Sequence, residues 1–385
     1  MKNPEKFLKS VQICKSERQK ARENGNGGTN WPGKMAIEAY PDILNCVFDD
    51  LDEIYCVIGT NGKTTTCRMI DNILNSFGIE HIYNREGANL PEGLLTTLLL
   101  NYDDYGIPVK KKALLECDEI TFRDLSSLMS PKIIVITNLY PDEAFTLLSN
   151  VETVTGFLID AIRKCPNAVL CLNGDNVPCL RIADAVPNRK IFYSAENDIV
   201  YVDKKPISFG SVLPSNAYTS DAAAACSFAY AYALNGDAAV SAIRETVLPF
   251  GRMEIQQKGQ YTVVFETIKN VAAIHAFLDY ATEKGISGIL ILSVWDYDPH
   301  YTEWMEHTDF TQLFSLFDEI YTSGPCITAK TFLRYPGVLW LEEKDISEKI
   351  YSTEQNVTIL TDYFGNIGIH KLLSEEGHLR QFWEE

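Results

Sequence analysis

The residues best suited to chemistry cluster at Gly59, Thr60, Asn61, Gly62, Lys63, Thr64 and Thr65. An apolar run, Ile54 to Ile58, leads into them, and helical spacing follows from Lys63 to Phe77, with Met69, Ile70, Ile73 and Leu74 on one side. A strand, a glycine turn and a helix start form the context in which backbone N–H groups converge on phosphate oxygens, backed by the positive end of the helix. Lys63 has the reach for the β- and γ-phosphates of a nucleotide, and Thr64 can offer its hydroxyl to Mg²⁺. The strict Walker pattern places a glycine where Val57 stands, so this is a shorter loop. Two glycines serving turn geometry alone would be the bland alternative. It gives no reason for lysine and threonine at the helix start.

Other candidates stand at strand ends. Glu116 closes the apolar run at Leu114 and Leu115 and carries a hard oxygen donor suited to Mg²⁺, or else is a solvent-facing acid. Asp142 follows the run Ile133 to Ile136 and either supports the same ion or caps a helix. Arg252 lies at a break in the pattern, where it clamps phosphate on domain closure or bridges domains as an ion pair. Lys269 and Asn270 follow another strand and by themselves read as an ordinary turn. Asn84, Arg85 and Asn89 come after a strand near His81 to Tyr83, and they bind an acyl substrate or order their own loop. Lys63, Glu116 and Arg252 are the residues expected to carry catalysis.

These residues need a scaffold of alternating strands and helices. Strand signals at Ile54–Ile58, Leu114–Leu115, Ile133–Ile136 and Ala168–Leu172 have helical patterns between them, which predicts an α/β fold with a mostly parallel sheet. An Ala-rich helix spans Ala222 to Leu234, and Leu248, Pro249, Phe250 and Gly251 then break the pattern. Strand signals return at Thr262–Phe265, Gly288–Leu292, Glu319–Tyr321 and Val357–Leu360, predicting a second, smaller α/β domain. Three segments follow: a helix or mobile arm with its loop at 1–33, a nucleotide-binding domain at 34–250 and a smaller domain at 251–385.

Composition agrees. With 385 residues, 46% of them hydrophobic, a sizeable core needs no disulfide or metal. Asp and Glu number 52 against 34 Lys and Arg, a net charge of −18, and no basic run is long enough to make a nucleic-acid site. The ten cysteines form no C-x-x-C pair and read as buried thiols in a reducing compartment. A polar start and the lack of a long apolar run predict a cytoplasmic protein, one that can still work at the inner membrane face through a partner or substrate.

The short loop resembles that of the Mur ligases, which build peptidoglycan stem peptides. Further segments are similar to the MurT family, the Mur-ligase-like subunits of lipid II isoglutaminyl synthase: Gly27–Gly33, Asn84–Asn89, Leu114–Glu119, Thr137–Asp142, Leu172–Asp175, Phe250–Glu254 and Ile268–Asn270. The resemblance implies a Mur ligase central domain, whose parallel sheet carries a P-loop-like nucleotide site, followed by a smaller α/β C-terminal domain. It implies ATP and Mg²⁺, with Glu116 at the family's Mg²⁺ carboxylate and Lys269 and Asn270 at ribose and phosphate contacts. It also implies a GatD-like glutaminase subunit as partner. In that family ATP phosphorylates the α-carboxylate of D-glutamate in a lipid II stem peptide, and ammonia from the glutaminase replaces phosphate.

Four departures stand out. Glu143 occupies the place where Mur ligases generally carry a histidine or similar donor, and Pro141 precedes the aspartate. Thr219 replaces the second asparagine of a segment that meets adenine, so one hydroxyl stands for an amide. The four-cysteine zinc ribbon is missing, since Cys171 and Cys179 have no second pair, and no zinc is expected. Finally, the family's second domain supplies an aspartate that completes the partner's Cys–His triad, and in the matching stretch Tyr301 and His307 stand where the family has acids. Asp296, Asp298, Glu303 and Glu306 lie nearby in a stretch, Trp295 to Phe310, that reads as a long interaction loop. The expected function is ATP-dependent amidation of a carboxylate in a lipid-linked or soluble peptidoglycan precursor. The alternatives are a Mur-like amino acid or amine ligase that works without a glutaminase, and a nucleotide-binding scaffold with reduced catalysis.

Overall fold

A computed structural model describes residues 3–142, 148–196, 199–209, 215–248, 251–296 and 299–375, with the backbone alone at 216 and 299–301. The chain divides into two compact units, one of Met1–Leu139 with Val151–Val247, the other of Tyr140–Asn150 with Leu248–Glu385.

The first unit begins with three helices, α1 (Pro4–Glu23), α2 (Trp31–Ala39) and α3 (Ile43–Asp49). The sheet region follows as β1 (Glu53–Ile58), α4 (Lys63–Ser76), β2 (Ile82–Tyr83), α5 (Pro91–Leu99), β3 (Lys112–Glu116), α6 (Glu119–Met129) and β4 (Ile133–Ile136). It continues through α7 (Val151–Arg163), β5 (Val169–Asn173), α8 (Val177–Ala185), β6 (Lys190–Glu196), β7 (Ile199–Val202), β8 (Lys205–Ser208), α9 (Asn216–Tyr232) and α10 (Gly236–Arg244). The strand order is β2-β3-β1-β4-β5-β6-β7-β8, parallel from β2 to β6. Strands β1, β3 and β4 are apolar almost throughout because helices cover both faces of a parallel sheet.

The order places β1 at a switch point. The chain leaves β1 to build β2 and β3 on one side, then crosses to β4 and β5 on the other. Ligands of open α/β sheets bind beyond the carboxyl end of such a strand, and Gly59 begins the loop there.

The antiparallel strands β7 and β8 are absent from the sequence expectation. Their turn uses Asp203 and Lys204, both at positive φ (46° and 66°), without the glycine that marks such turns. The N-terminal segment, read as a helix or a mobile arm, is a helix. α1 buries Phe7, Val11 and Cys14 and packs on α2 and α5.

The second unit runs β9 (Arg252–Lys258), β10 (Tyr261–Thr267), α11 (Val271–Lys284), β11 (Ile289–Ser293), α12 (Pro299–His307) and α13 (Thr311–Phe314). It ends with β12 (Glu319–Ser323), α14 (Ile327–Thr331), β13 (Val338–Trp340), α15 (Ile346–Ser352), β14 (Val357–Thr361) and α16 (Tyr363–Glu375). Its sheet has the order β13-β12-β11-β14-β10-β9, with only β9 antiparallel to its neighbour. Val263, Phe265, Ile291 and Ile359 lie in its core. The stretch read as a long interaction loop contains helix α12, a correction to that reading.

Candidate nucleotide and metal site

The loop between β1 and α4 has a shape that only glycine permits at two points. Gly59 has φ +131°, and a Cβ there would strike the Thr137 hydroxyl and lie 2.7 Å from the Asn138 carbonyl oxygen. Gly62 has φ +81°, and a Cβ there would strike the carboxylate of Asp221. Gly62 is also the N-cap of α4 and supplies no side-chain cap of its own. Asn138 fixes the loop from β4: Thr60 N donates to its carbonyl at 2.9 Å and Asn61 N to its Oδ1 at 3.0 Å. Its Nδ2 donates to the Asn61 carbonyl at 3.1 Å.

Lys63 is buried, and its ammonium folds back on the loop, donating to the carbonyl of Gly59 and, at 3.2 Å, to that of Thr60. The cation is thereby held inside the turn that a phosphate chain would enter. Thr65 is buried beside it in the first turn of α4.

Parallel pairing sets Glu116 level with Val57, just below the loop. Its Oε1 accepts from Thr64 Oγ1 at 3.1 Å and from Asn89 Nδ2 at 3.4 Å. Its Oε2 is buried without a hydrogen-bond partner in a residue only 1% exposed. A buried carboxylate oxygen left unsatisfied costs roughly 1–3 kcal/mol or more. A cation at this oxygen would remove that cost, so the donor set fits a hard divalent ion. Among the described residues no three His, Cys, Asp or Glu side chains could hold a metal by themselves. Such a site matches an ion held by one or two protein oxygens and completed by phosphate oxygens and water.

Asn84 serves Glu116 directly. Its Oδ1 accepts from Glu116 N at 2.8 Å, and its Nδ2 donates to the Glu116 carbonyl at 2.9 Å and to the Ala88 carbonyl at 3.0 Å. This buried amide orders the 84–89 turn against the end of β3. Asn89 meets Glu116 from the same turn. Arg85 instead donates to Asp71 at 2.8 Å, and Asp71 also meets His81 Nε2 at 2.9 Å. Burial pushes the Asp71 carboxyl up, but hydrogen bonds from His81 and Arg85 outweigh it and hold the group below its usual range. Asn84 and Arg85 line a cleft of about 430 Å³ that also receives Leu100, Val109 and Lys110.

Thr219 is buried in the first turn of α9, where its hydroxyl donates to the Ser215 carbonyl at 3.2 Å. Its donor is therefore spent on its own helix. Asp142, Arg252, Lys269 and Asn270 belong to the second unit. There Asn270 caps α11, its Oδ1 accepting from Ala273 N at 3.0 Å. Lys269 lies 6.0 Å above the Tyr363 ring, and Arg252 Nη1 donates to the Gly251 carbonyl at 3.4 Å. His307 lies 3.9 Å from Glu303 on the exposed side of α12. Glu143, Phe250, Asp298 and the side chain of Tyr301 lie outside the described residues.

Three site residues escaped the sequence reading. Asn138 clamps the loop, Asp221 packs on Gly62, and Glu119 Oε1 lies 3.5 Å from the Thr60 hydroxyl. Asn138 and Glu119 shared a signal, a polar residue just past the carboxyl end of a buried strand. Asp221, within an Ala-rich helix, gave none. All ten cysteines are free and buried, and burial pushes the thiols of Cys171, Cys179 and Cys226 up to about 12, which suits packed rather than nucleophilic thiols.

Residues 57–218 match the Mur ligase middle domain family. The MurT subunit of lipid II isoglutaminyl synthase (glutamine-hydrolyzing) from Staphylococcus aureus strain COL is 32% identical over 134 residues, 35% of this chain and 30% of the relative. Its counterpart from Streptococcus pneumoniae is 35% identical over 149 residues, 39% of this chain and 32% of the relative. The matched region thus spans less than a third of the length of these curated relatives. Among solved structures, MurF ligase from Thermotoga maritima in complex with ADP aligns with TM-score 0.68 at 13% identity, over 91% of this chain and 84% of that one. A bifunctional folylpolyglutamate synthase/dihydrofolate synthase from Yersinia pestis, complexed with AMPPNP and Mn ion, gives 0.66 at 13% identity over 87% and 92%. Residues 57–218 are therefore similar to a Mur ligase middle domain, within a chain that has a Mur-ligase-like α/β fold.

Proposed function

We propose that this chain is an ATP-dependent carbon–nitrogen ligase that activates a carboxylate by phosphorylation and converts it to an amide. The proposed acid is the α-carboxylate of D-glutamate in a lipid-linked peptidoglycan stem peptide, and the proposed nitrogen source is ammonia from a glutaminase partner. The observation that carries the ligase reading is the pairing of Thr64 with Glu116, whose second carboxylate oxygen is buried and unsatisfied beside the phosphate loop. The substrate and partner rest on similarity to MurT subunits.

A bound divalent cation, with Mg²⁺ proposed, would neutralise charge on the phosphoryl group in flight. Thr64 and Glu116 would hold it. Amides at the start of α4, rather than those of Thr60 and Asn61 that Asn138 occupies, would bind the phosphates, and Lys63 would move from the loop carbonyls to phosphate oxygens of the opposite charge. Little covalent chemistry falls to the protein; it aligns the reacting groups and stabilises charge. Thr219 offers no hydroxyl donor for adenine while it bonds Ser215, so base selectivity is expected to be relaxed. Asp142 as a further cation ligand belongs to the same proposal, as do Arg252, Lys269 and Asn270 as nucleotide contacts; the family resemblance supports them.

The test is phosphate release with lipid-linked stem peptide, ATP, Mg²⁺ and ammonia. Lys63→Ala should lower the rate by at least roughly 100-fold, the scale of losing one preorganised charge contact. Unchanged turnover in that variant would remove the loop from the mechanism. Turnover with an amino acid but not with ammonia would replace the proposed nitrogen donor.

A further inference from the structure

The segment joining α5 to β3 is closed by its own hydrogen bonds. Val109 N donates to the Asn101 carbonyl and Asp103 N to that of Ile107, both at 2.9 Å. The Asp103 carboxylate accepts from Tyr105 N at 2.9 Å and Ile107 N at 2.8 Å. Asn101 exchanges hydrogen bonds with the Lys110 backbone at 2.8 and 3.0 Å. The base of the loop is fastened to the body: Tyr102 meets Phe7 edge-on at 5.0 Å and donates to Asp50 at 2.8 Å, and Asp104 pairs with Lys15 at 3.0 Å.

This well-braced loop points its apolar side chains outward. Tyr105 is 84% exposed, Ile107 60% and Val109 68%. Scattered single apolar residues on a surface need no explanation. Three at alternate positions of one braced loop do, because they add nothing to its packing. Lys110 and Lys111, both exposed, follow at once. Of the loop's acids, Asp103 is engaged by backbone amides, while Asp104 pairs with Lys15 and keeps its side chain 91% exposed.

We propose that the Asn101–Lys111 loop is a contact for an anionic lipid surface. Tyr105, Ile107 and Val109 enter the boundary between headgroups and acyl chains, while Lys111 meets lipid phosphates; the Lys110 ammonium stays on the His81 carbonyl at 2.8 Å. Tyrosine, small apolar insertions and lysine are what the membrane interface selects. A protein interface would deplete lysine at its centre and need about 800 Å² from each partner, which a narrow loop tip does not offer. The chain's net charge of −18 makes the attraction local to Lys111. Val109 and Lys110 also line the cleft that Asn84 borders, so a docked loop brings the cleft to the membrane. That use of the contact rests on the lipid-linked substrate proposed above; the contact itself rests on the loop.

Flotation of the full chain with vesicles tests it, using phosphatidylglycerol mixed with phosphatidylcholine against phosphatidylcholine alone. The chain should float with the anionic vesicles and less so as salt rises. The double variant Tyr105→Glu, Ile107→Glu should lose most of this binding, and Lys111→Glu should weaken it roughly tenfold. Both should keep the wild-type melting profile and phosphate release with a water-soluble stem peptide. A wild-type chain that stays with neither vesicle, or variants that float as well as wild type, would overturn the contact while leaving the ligase reading intact. So would a loop variant that floats normally but loses a co-purifying protein, which would mark a protein-docking loop.

Discussion

The hydroxyl of Thr64 donates to Glu116 Oε1 across 3.1 Å, joining the first turn of α4 to the end of β3. This bond links the phosphate loop to a carboxylate whose other oxygen is buried and unsatisfied. The pair therefore defines the proposed cation site more sharply than either residue alone. Glu116→Gln keeps the shape and removes the charge. Its requirement for Mg²⁺ in phosphate release should rise by roughly 10- to 100-fold, while its melting temperature stays level or increases. A titration of rate against Mg²⁺ checks this, and an unshifted curve places the cation elsewhere.

Asn84 is expected to act through Glu116. Asn84→Ala leaves the buried N–H and carbonyl of Glu116 without their partner, at a cost of about 2 kcal/mol to stability. Urea unfolding measures that loss. The same variant should need more Mg²⁺, because the carboxylate loses its anchor; a direct substrate contact would instead raise only the KM for the acid.

Gly62 combines two constraints that can be separated. Gly62→Ala meets the left-handed backbone cost of roughly 1–2 kcal/mol and a clash with Asp221. In an Asp221→Ala background only the clash is relieved. The double variant should therefore recover part of the lost stability, and full recovery in thermal melts would mean the φ of +81° carries no cost.

Asp71 ties Arg85 and His81 together, and its carboxyl titrates below its usual range. A depressed pKa in the folded state adds stability that is present above the unfolded value near about 4. That stability is lost as pH falls through the folded value. Asp71→Asn should accordingly be most destabilising at neutral pH, with the gap to wild type narrowing below about pH 4. Unfolding midpoints measured across that range give the sign directly.

Much of the phosphate loop could be read from sequence because its shape depends on local rules: an apolar strand, glycines at fixed places, and lysine with threonine at a helix start. Glu116 was readable as a strand-end acid, but its buried and unsatisfied oxygen was not, since that follows from the pairing of β1 with β3. Asn84 offered two readings in the sequence. Tertiary contact with Glu116 shows how its amide is used. Asp221 was invisible because its partner Gly62 is far away in the chain and its helix looks like simple packing. The hairpin at β7 and β8 was missed for a local reason: Asp203 and Lys204 take positive φ where glycine would have announced the turn.

The most direct test of carboxylate activation follows oxygen. Stem peptide carrying ¹⁸O in the D-glutamate α-carboxylate is converted with ATP, Mg²⁺ and ammonia, and the released phosphate is examined by mass spectrometry. Phosphorylation of the acid requires one ¹⁸O to appear in inorganic phosphate for each amide formed, and ADP as the other product. Amide formation with unlabelled phosphate, or with AMP and pyrophosphate, would contradict it.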